Sequence, residues 1–295
     1  MTRVERAASG DQTVVVRVSG PTATIVTEGR EQEARLTPRV PGGPAVAGDR
    51  VRLRSDEGEP VVVEVLPRTS VLERGDGGDK RARPIVANAD LLVVVAAVVE
   101  PPLRDRLIDR YLVAAALGDL AAAIVITKLD LPHDPAELED ILAPYRELGY
   151  PVLSGDAHTA PLVEELRALI GGRVAILAGH SGVGKSTLTT SLTGVERAVG
   201  AVSAKIGTGR HTTSDPRLIP LPGDGAVVDT AGVRTFHLPK MDRARLEAGF
   251  PEIAAASEGC RFRGCAHNGD AGCAVVGAVS ARRLESYRRM LDEMR

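Results

Sequence analysis

Tryptophan is absent, and Phe, Trp and Tyr together make up only 2% of the 295 residues. Aliphatic side chains must therefore fill the cores. Only three cysteines are present, an odd number that fits a disulfide framework poorly. Long apolar runs are missing too. The longest, "LLVVVAAVV" at 91–99, is too short to span a bilayer, which takes ~20 residues. The start, "MTRVERAASGDQ", lacks the apolar stretch of a signal peptide, so a soluble cytoplasmic chain with no membrane partner is expected. Charge of one sign is lacking overall, the formal net charge being −2. The middle of the chain is acidic and the tail mildly basic, which suits a nucleic-acid contact as well as an ordinary solvated helix face.

What is present falls into three parts. Residues 1–73 read as a small β-barrel. "TVVVRV", "TATIVTE", "EARLTP", "RVRLRS" and "PVVVEVLP" are short β-prone runs separated by Gly, Pro and Asp. An OB-fold is the leading expectation and an SH3-like barrel the alternative. The charged, Gly-rich stretch 74–88 reads as a linker. From 89 to 235 strands alternate with helices, and the strands are near-continuous Val, Ile and Ala, as in a parallel α/β sheet covered on both faces. Residues 236–295 are expected to be helical and hold all three cysteines.

"GHSGVGKST" at 179–187 fits G-x-x-x-x-G-K-[ST] at every fixed position and lies between a predicted strand and a predicted helix. Gly179, Gly182 and Gly184 let backbone amides converge on phosphate oxygens, and His180, Ser181, Val183 and Thr187 complete the nucleotide-binding stretch. Lys185 is expected to reach the β- and γ-phosphates, and the Ser186 hydroxyl to ligate Mg²⁺. "DTAG" at 229–232 ends an apolar strand. Asp229 there is placed to hold Mg²⁺, and the Gly232 amide to meet the γ-phosphate.

"TKLD" at 127–130 resembles the [NT]-K-x-D element that reads guanine. Guanine alone presents N1–H beside an exocyclic amine, and the Asp130 carboxylate accepts both. Lys128 lays its stem on the base, and the Thr127 hydroxyl ties neighbouring loops. "LSGD" at 153–156 follows at the next strand end, where Ser154 and Gly155 close over the base. The usual GTPase order begins with the phosphate loop. Here the order is TKLD, LSGD, phosphate loop, DTAG, so the domain reads as circularly permuted. Termini lying near one another make such a permutation feasible.

In the tail, Cys260, Cys265, His267 and Cys273 form a Cys₃His set that uses every cysteine of the chain. Four ligands leave no open position, so a structural zinc is expected. Arg261 and Arg263 sit inside this loop as candidate phosphate contacts. In "ARRLESYRRMLDEM", Leu284, Tyr287 and Leu291 form an inward stripe, and the Arg pairs are either solvated or turned to RNA.

The whole pattern resembles the ribosome small-subunit-dependent GTPases, the RsgA (YjeQ) family. Besides the four GTPase motifs, "PRTSVLER" (67–74) and "ANAD" (87–90) look like that family's junction between barrel and GTPase, and "GRHTT" (209–213) like its switch I. The resemblance implies an OB-fold, hydrolysis of GTP stimulated by the small ribosomal subunit, and a role in late subunit maturation; the expected partners are that subunit and its rRNA, met by a monomer. A GTPase with another partner, and a GTP-switched RNA-binding adaptor with little hydrolysis, are the alternatives. One departure is Ala231, where the family usually has Pro. Val233 follows Gly232 and cannot orient water, so His211 is the in-chain candidate for that catalytic role. Thr212 or Thr213 is expected to complete the Mg²⁺ shell.

Overall fold

The structure, a computed structural model, describes residues 13–75, 82–195, 215–230 and 236–294. Five strands, β1 (Thr13–Ser19), β2 (Thr22–Thr27), β3 (Arg30–Leu36), β4 (Arg50–Asp56) and β5 (Glu59–Val65), close into a barrel in the order β1-β2-β3-β5-β4, with β4 returning to β1. All neighbours run antiparallel except β3 and β5, which pair parallel through Arg35↔Val61 and Leu36↔Val62. This is the OB-like arrangement, and the SH3-like alternative falls away. Inward Val15, Ala23, Ile25, Ala34, Val51, Val62 and Val65 fill the interior without any aromatic ring.

The stretch 74–88 differs from a plain linker. Strand β6 (Val71–Gly75) pairs antiparallel with β7 (Ala82–Ala87) as a two-stranded sheet. Composition hid this, because the Gly- and Asp-rich residues lie between the two arms. Leu72 and Val86 are buried, at 1% and 0% exposure, and hold the ribbon against the rest of the protein. The two motifs flanking the ribbon act as a joint. The Arg68 guanidinium makes two 2.8 Å hydrogen bonds to the carboxylate of Asp49, which is fully buried in the barrel. Asn88 donates to the Gly48 carbonyl (2.9 Å) and accepts from the Thr69 amide (2.9 Å). Removing Arg68 would leave the buried Asp49 carboxylate without a counter-charge, a costly defect.

The central sheet has the order β10 (Val152–Ser154), β9 (Ala121–Thr127), β8 (Leu91–Ala97), β11 (Val174–Ala178), β13 (Ala226–Asp229), β12 (Arg217–Pro220). It is parallel except at the β12 edge. The apolar runs arise because both faces are covered. Odd and even positions of β8 serve different cores: Leu92 and Val94 face one side, Leu91, Val93 and Val95 the other. Helices α3 (Ala160–Ile170) and α4 (Lys185–Thr193) cover the second side.

Helices α1 (Asp105–Leu117) and α2 (Pro135–Glu147) cover the first side, and the C-terminal helices α5 (Arg243–Ala248), α6 (Pro251–Ser257) and α7 (Ala281–Glu293) extend the same core. The tail is thus packed on the α/β body. Its anchor is Arg283, 1% exposed, whose Nη1 lies 2.5 Å from Asp109 of α1 and whose Nε lies 2.8 Å from Glu252 of α6. The guanidinium also sits 4.5 Å from the Phe250 ring centroid. This corrects the reading of the second tail Arg as solvated or RNA-facing. The inward stripe itself holds at Leu284 and Tyr287 and is widened by Met290.

Candidate functional site

The phosphate loop leaves the end of β11. Gly179 has φ 147°, and a Cβ there would stand 2.0 Å from the Val95 carbonyl oxygen, so no other residue fits. Gly184 at φ 91° turns the chain into α4, whose first residue is Lys185. Lys185 is 7% exposed, and its Nζ donates to the carbonyls of Gly179 (2.8 Å) and His180 (2.6 Å). Burial lowers its pKa to about 8, while the charge of Asp229 acts in the opposite sense. Asp229 ends β13 opposite Leu177, fully buried, and Thr230 locks this strand end by donating to the Leu177 carbonyl at 2.7 Å. Ser186 follows Lys185 on α4, which packs against β13.

The TKLD and LSGD loops meet the phosphate loop and the helix behind it directly. Thr127, fully buried at the end of β9, donates its hydroxyl to the Val183 carbonyl at 2.7 Å. Its Oγ1 and methyl also lie against Gly184. Lys128 takes a positive φ of 62°, and its Nζ bonds to the Glu100 carbonyl. Asp130 is exposed beyond this turn. Ser154 ends β10, and the Gly155 amide donates to the Ile126 carbonyl (3.0 Å), drawing the second loop to the first. Ser191 of α4 donates to the Ala157 carbonyl (3.2 Å), so the helix behind the phosphate loop also holds the LSGD loop. His180, Ser181, Gly182 and Thr187 lie on or beside the loop's accessible side. Gly232, His211, Thr212 and Thr213 fall outside the described residues.

Two contributors have no motif to announce them. Tyr111 of α1 is 2% exposed, has its hydroxyl beside the Gly179 backbone, and stacks on Phe236 at 4.5 Å between centroids. The turn Glu100-Pro101 approaches the phosphate loop from the other side, with Pro101 beside Gly182. Both lie after β8, a strand that carries none of the nucleotide motifs, so only folding reveals them.

In the tail, the ligand atoms of Cys260, Cys265, His267 and Cys273 all lie within 4.8 Å of one another. His267 Nδ1 is 3.7 Å from Cys260 Sγ and 3.8 Å from Cys273 Sγ. Tetrahedral zinc with its usual bond lengths sets such N···S pairs about 3.5 Å apart, so the donor set fits one zinc ion. Arg243 braces the loop through the carbonyls of Gly264 (2.9 Å) and Cys265, and approaches His267 Nε2 at 3.0 Å. Burial and the Arg243 charge hold the His267 pKa below its usual value, which favours the neutral, ligating imidazole. Ser186 and Asp229 offer oxygen donors of the kind a hard cation takes.

Comparison with known proteins decides the family. The model of the RsgA GTPase family matches residues 65–239. The chain belongs to that family. A small ribosomal subunit biogenesis GTPase RsgA from Azotobacter vinelandii is 41% identical over 258 residues, 84% of this chain and 75% of that one. Its counterpart from Ectopseudomonas mendocina is 40% identical over the same share of each chain. Among solved structures, YjeQ from Thermotoga maritima superposes with a TM-score of 0.72 at 28% identity, covering 96% of this chain and 98% of that one. YloQ, a circularly permuted GTPase, shares the fold with a TM-score of 0.70 at 23% identity and covers 96% and 94%. The permuted motif order and the RsgA assignment therefore agree.

Proposed function

We propose that this RsgA-family protein is a GTP hydrolase of small ribosomal subunit biogenesis, acting as a cytoplasmic monomer on the subunit and its rRNA in late maturation. The observation that carries the nucleotide reading is the Thr127–Val183 hydrogen bond. It joins the base-reading and phosphate loops, which stand 56 residues apart in reversed chain order, into one site. Asp130 accepts the guanine donors, Lys128 flanks the base, and Ser154 and Gly155 close over it. Gly179 to Gly184 and Thr187 cradle the phosphates, with Lys185 supplying positive charge. When bound, Mg²⁺ neutralises charge on the β- and γ-phosphate oxygens. Ser186, Asp229 and one of Thr212 and Thr213 would hold it.

Val233 beside Gly232 has no polar group to orient water. His211 orients it once the subunit docks switch I, so hydrolysis by the protein alone is slow. One structural zinc is held by Cys260, Cys265, His267 and Cys273. The barrel at 1–73, the GTPase unit at 89–235 and the zinc unit at 236–295 are coupled, with Arg283 tying the tail to Asp109 and Arg217 and Asn88 tying the centre to Glu31 and Gly48 of the barrel. GTP favours the arrangement that fits the subunit, and by linkage the subunit raises GTP affinity by the same factor.

The test is turnover by the purified protein with small or with large ribosomal subunits. Several-fold stimulation by small subunits alone is expected. Equal stimulation by both indicates a different partner, and none by either indicates a GTP-switched adaptor.

A further inference from the structure

The tail must supply cations if it meets RNA, and α7 is the obvious source. The structure shows its arginines already engaged. Arg282 pairs with Asp140 (3.1 Å), Arg283 is buried with Asp109 and Glu252, Arg288 donates to the His267 carbonyl, and Arg289 pairs with Glu285 (2.9 Å). Arg261 and Arg263 are different. Both are exposed, and neither makes an ion pair among the described residues. They flank Phe262, whose side chain is 56% exposed.

Exposure of that ring is unusual for this chain. It has three Phe, four Tyr and no Trp. Phe236, Phe250, Tyr111, Tyr145 and Tyr287 are all buried. Phe262 and Val276 are two of the three large apolar side chains exposed among the described residues, and both belong to the cysteine-bearing segment. The ring is also held. Cys260 and Cys265 bracket it, the Arg261 amide donates to the Gly272 carbonyl (2.9 Å), and the Cys265 amide donates to the Phe262 carbonyl (3.3 Å). Arg261 lies along Gly272, where a Cβ would stand 2.8 Å from Arg261 Cβ, and its guanidinium sits 5.4 Å from the Phe262 centroid. The result is an exposed aromatic ring, with Arg261 over one side, between two cations that make no ion pair among the described residues, on a braced loop.

We infer that Phe262 is a stacking platform for an unpaired base of single-stranded RNA, with Arg261 and Arg263 on the adjoining phosphates. The inference rests on the RNA-containing partner proposed above and names the group that meets it. A purely apolar protein patch would leave the two arginines unanswered. The two arginines around the ring, with no acid between Cys260 and Cys265, match a polyanion that also offers π-faces. Every base has such a face, so the contact is sequence-tolerant.

The full chain is tested with zinc and a non-hydrolysable GTP analogue bound. Small-subunit binding is measured by sedimentation over a range of salt. A second arm follows quenching of 2-aminopurine in a single-stranded RNA oligonucleotide. Phe262→Ala is expected to weaken both by about tenfold, to leave the salt dependence of subunit binding unchanged, and to keep the wild-type zinc content. Phe262→Trp is expected to retain both. Arg263→Ala should lower the salt slope by about one. Wild-type behaviour of Phe262→Ala in both arms overturns the inference. So does weakened subunit binding by Phe262→Ala when the wild type quenches no RNA, since the ring then meets a protein. If the wild type quenches RNA through Phe262 yet ignores small subunits, the platform stands and the ribosomal reading falls.

Discussion

Lys185 offers a pH test of the phosphate site. Its ammonium is buried, and burial brings its pKa down from the usual 10.5 to about 8. A polyphosphate beside it would favour the charged form and raise the value again. Binding above about pH 8 must therefore take up a proton. Between pH 7 and pH 8.5 the charged fraction of the protein alone falls from about nine-tenths to about one-quarter. Affinity for GDP should fall about fourfold, or ~0.8 kcal/mol. Stopping at pH 8.5 keeps the guanine N1 proton in place. Calorimetry in buffers of different ionisation heat at pH 8.5 should find about three-quarters of a proton taken up. Stability moves the other way. The folded protein holds fewer protons than the unfolded chain between about 8 and 10.5, so this group makes the protein alone more stable as pH rises through that window. A flat affinity profile, or the same slope in Lys185→Ala, would refute the reasoning.

Four other changes test the remaining parts. Thr127→Val keeps shape but strips the Val183 carbonyl of its donor. GDP binding should weaken by the equivalent of about 1–3 kcal/mol, while preference for GTP over ATP persists; unaltered affinity would deny the two loops their joint. Asp130→Asn should weaken GTP and favour a xanthine nucleotide, whose ring carbonyl meets an amide donor, as competition binding will report. Cys265→Ser should lose the zinc that metal analysis finds at about one equivalent in wild type purified without chelator; an absence of zinc in both returns the cysteines to packing. Arg283→Met strands Asp109 in the core and should cost about 3–5 kcal/mol in urea unfolding, much of it recovered by Arg283→Met with Asp109→Leu; a loss within experimental error would mean the tail is not anchored there.

The local chemistry was legible in the sequence because it is local. The positive φ of Gly179, Gly184 and Lys128 belongs to backbone conformations set over a few positions. The sheet was legible for a related reason: strands buried on both faces must be apolar at every position, and β8 and β11 are. The three cysteines and the histidine that gather as a candidate metal set lie within one short stretch, so their spacing was informative too. Other features depended on which distant segments meet. Nothing near Arg283 announces that it will be buried against Asp109, 174 residues earlier in the chain. The β6–β7 ribbon was obscured by its Gly-rich connection, since pairing is decided by the opposite strand and not by the turn's composition. Tyr111 became part of the phosphate site only when α1 was laid against the end of β11. A sequence determines what each residue is able to do, but burial, desolvation and partnership are set by neighbours remote along the chain. The lowered pKa of Lys185 and the exposure of Phe262 are both of that kind.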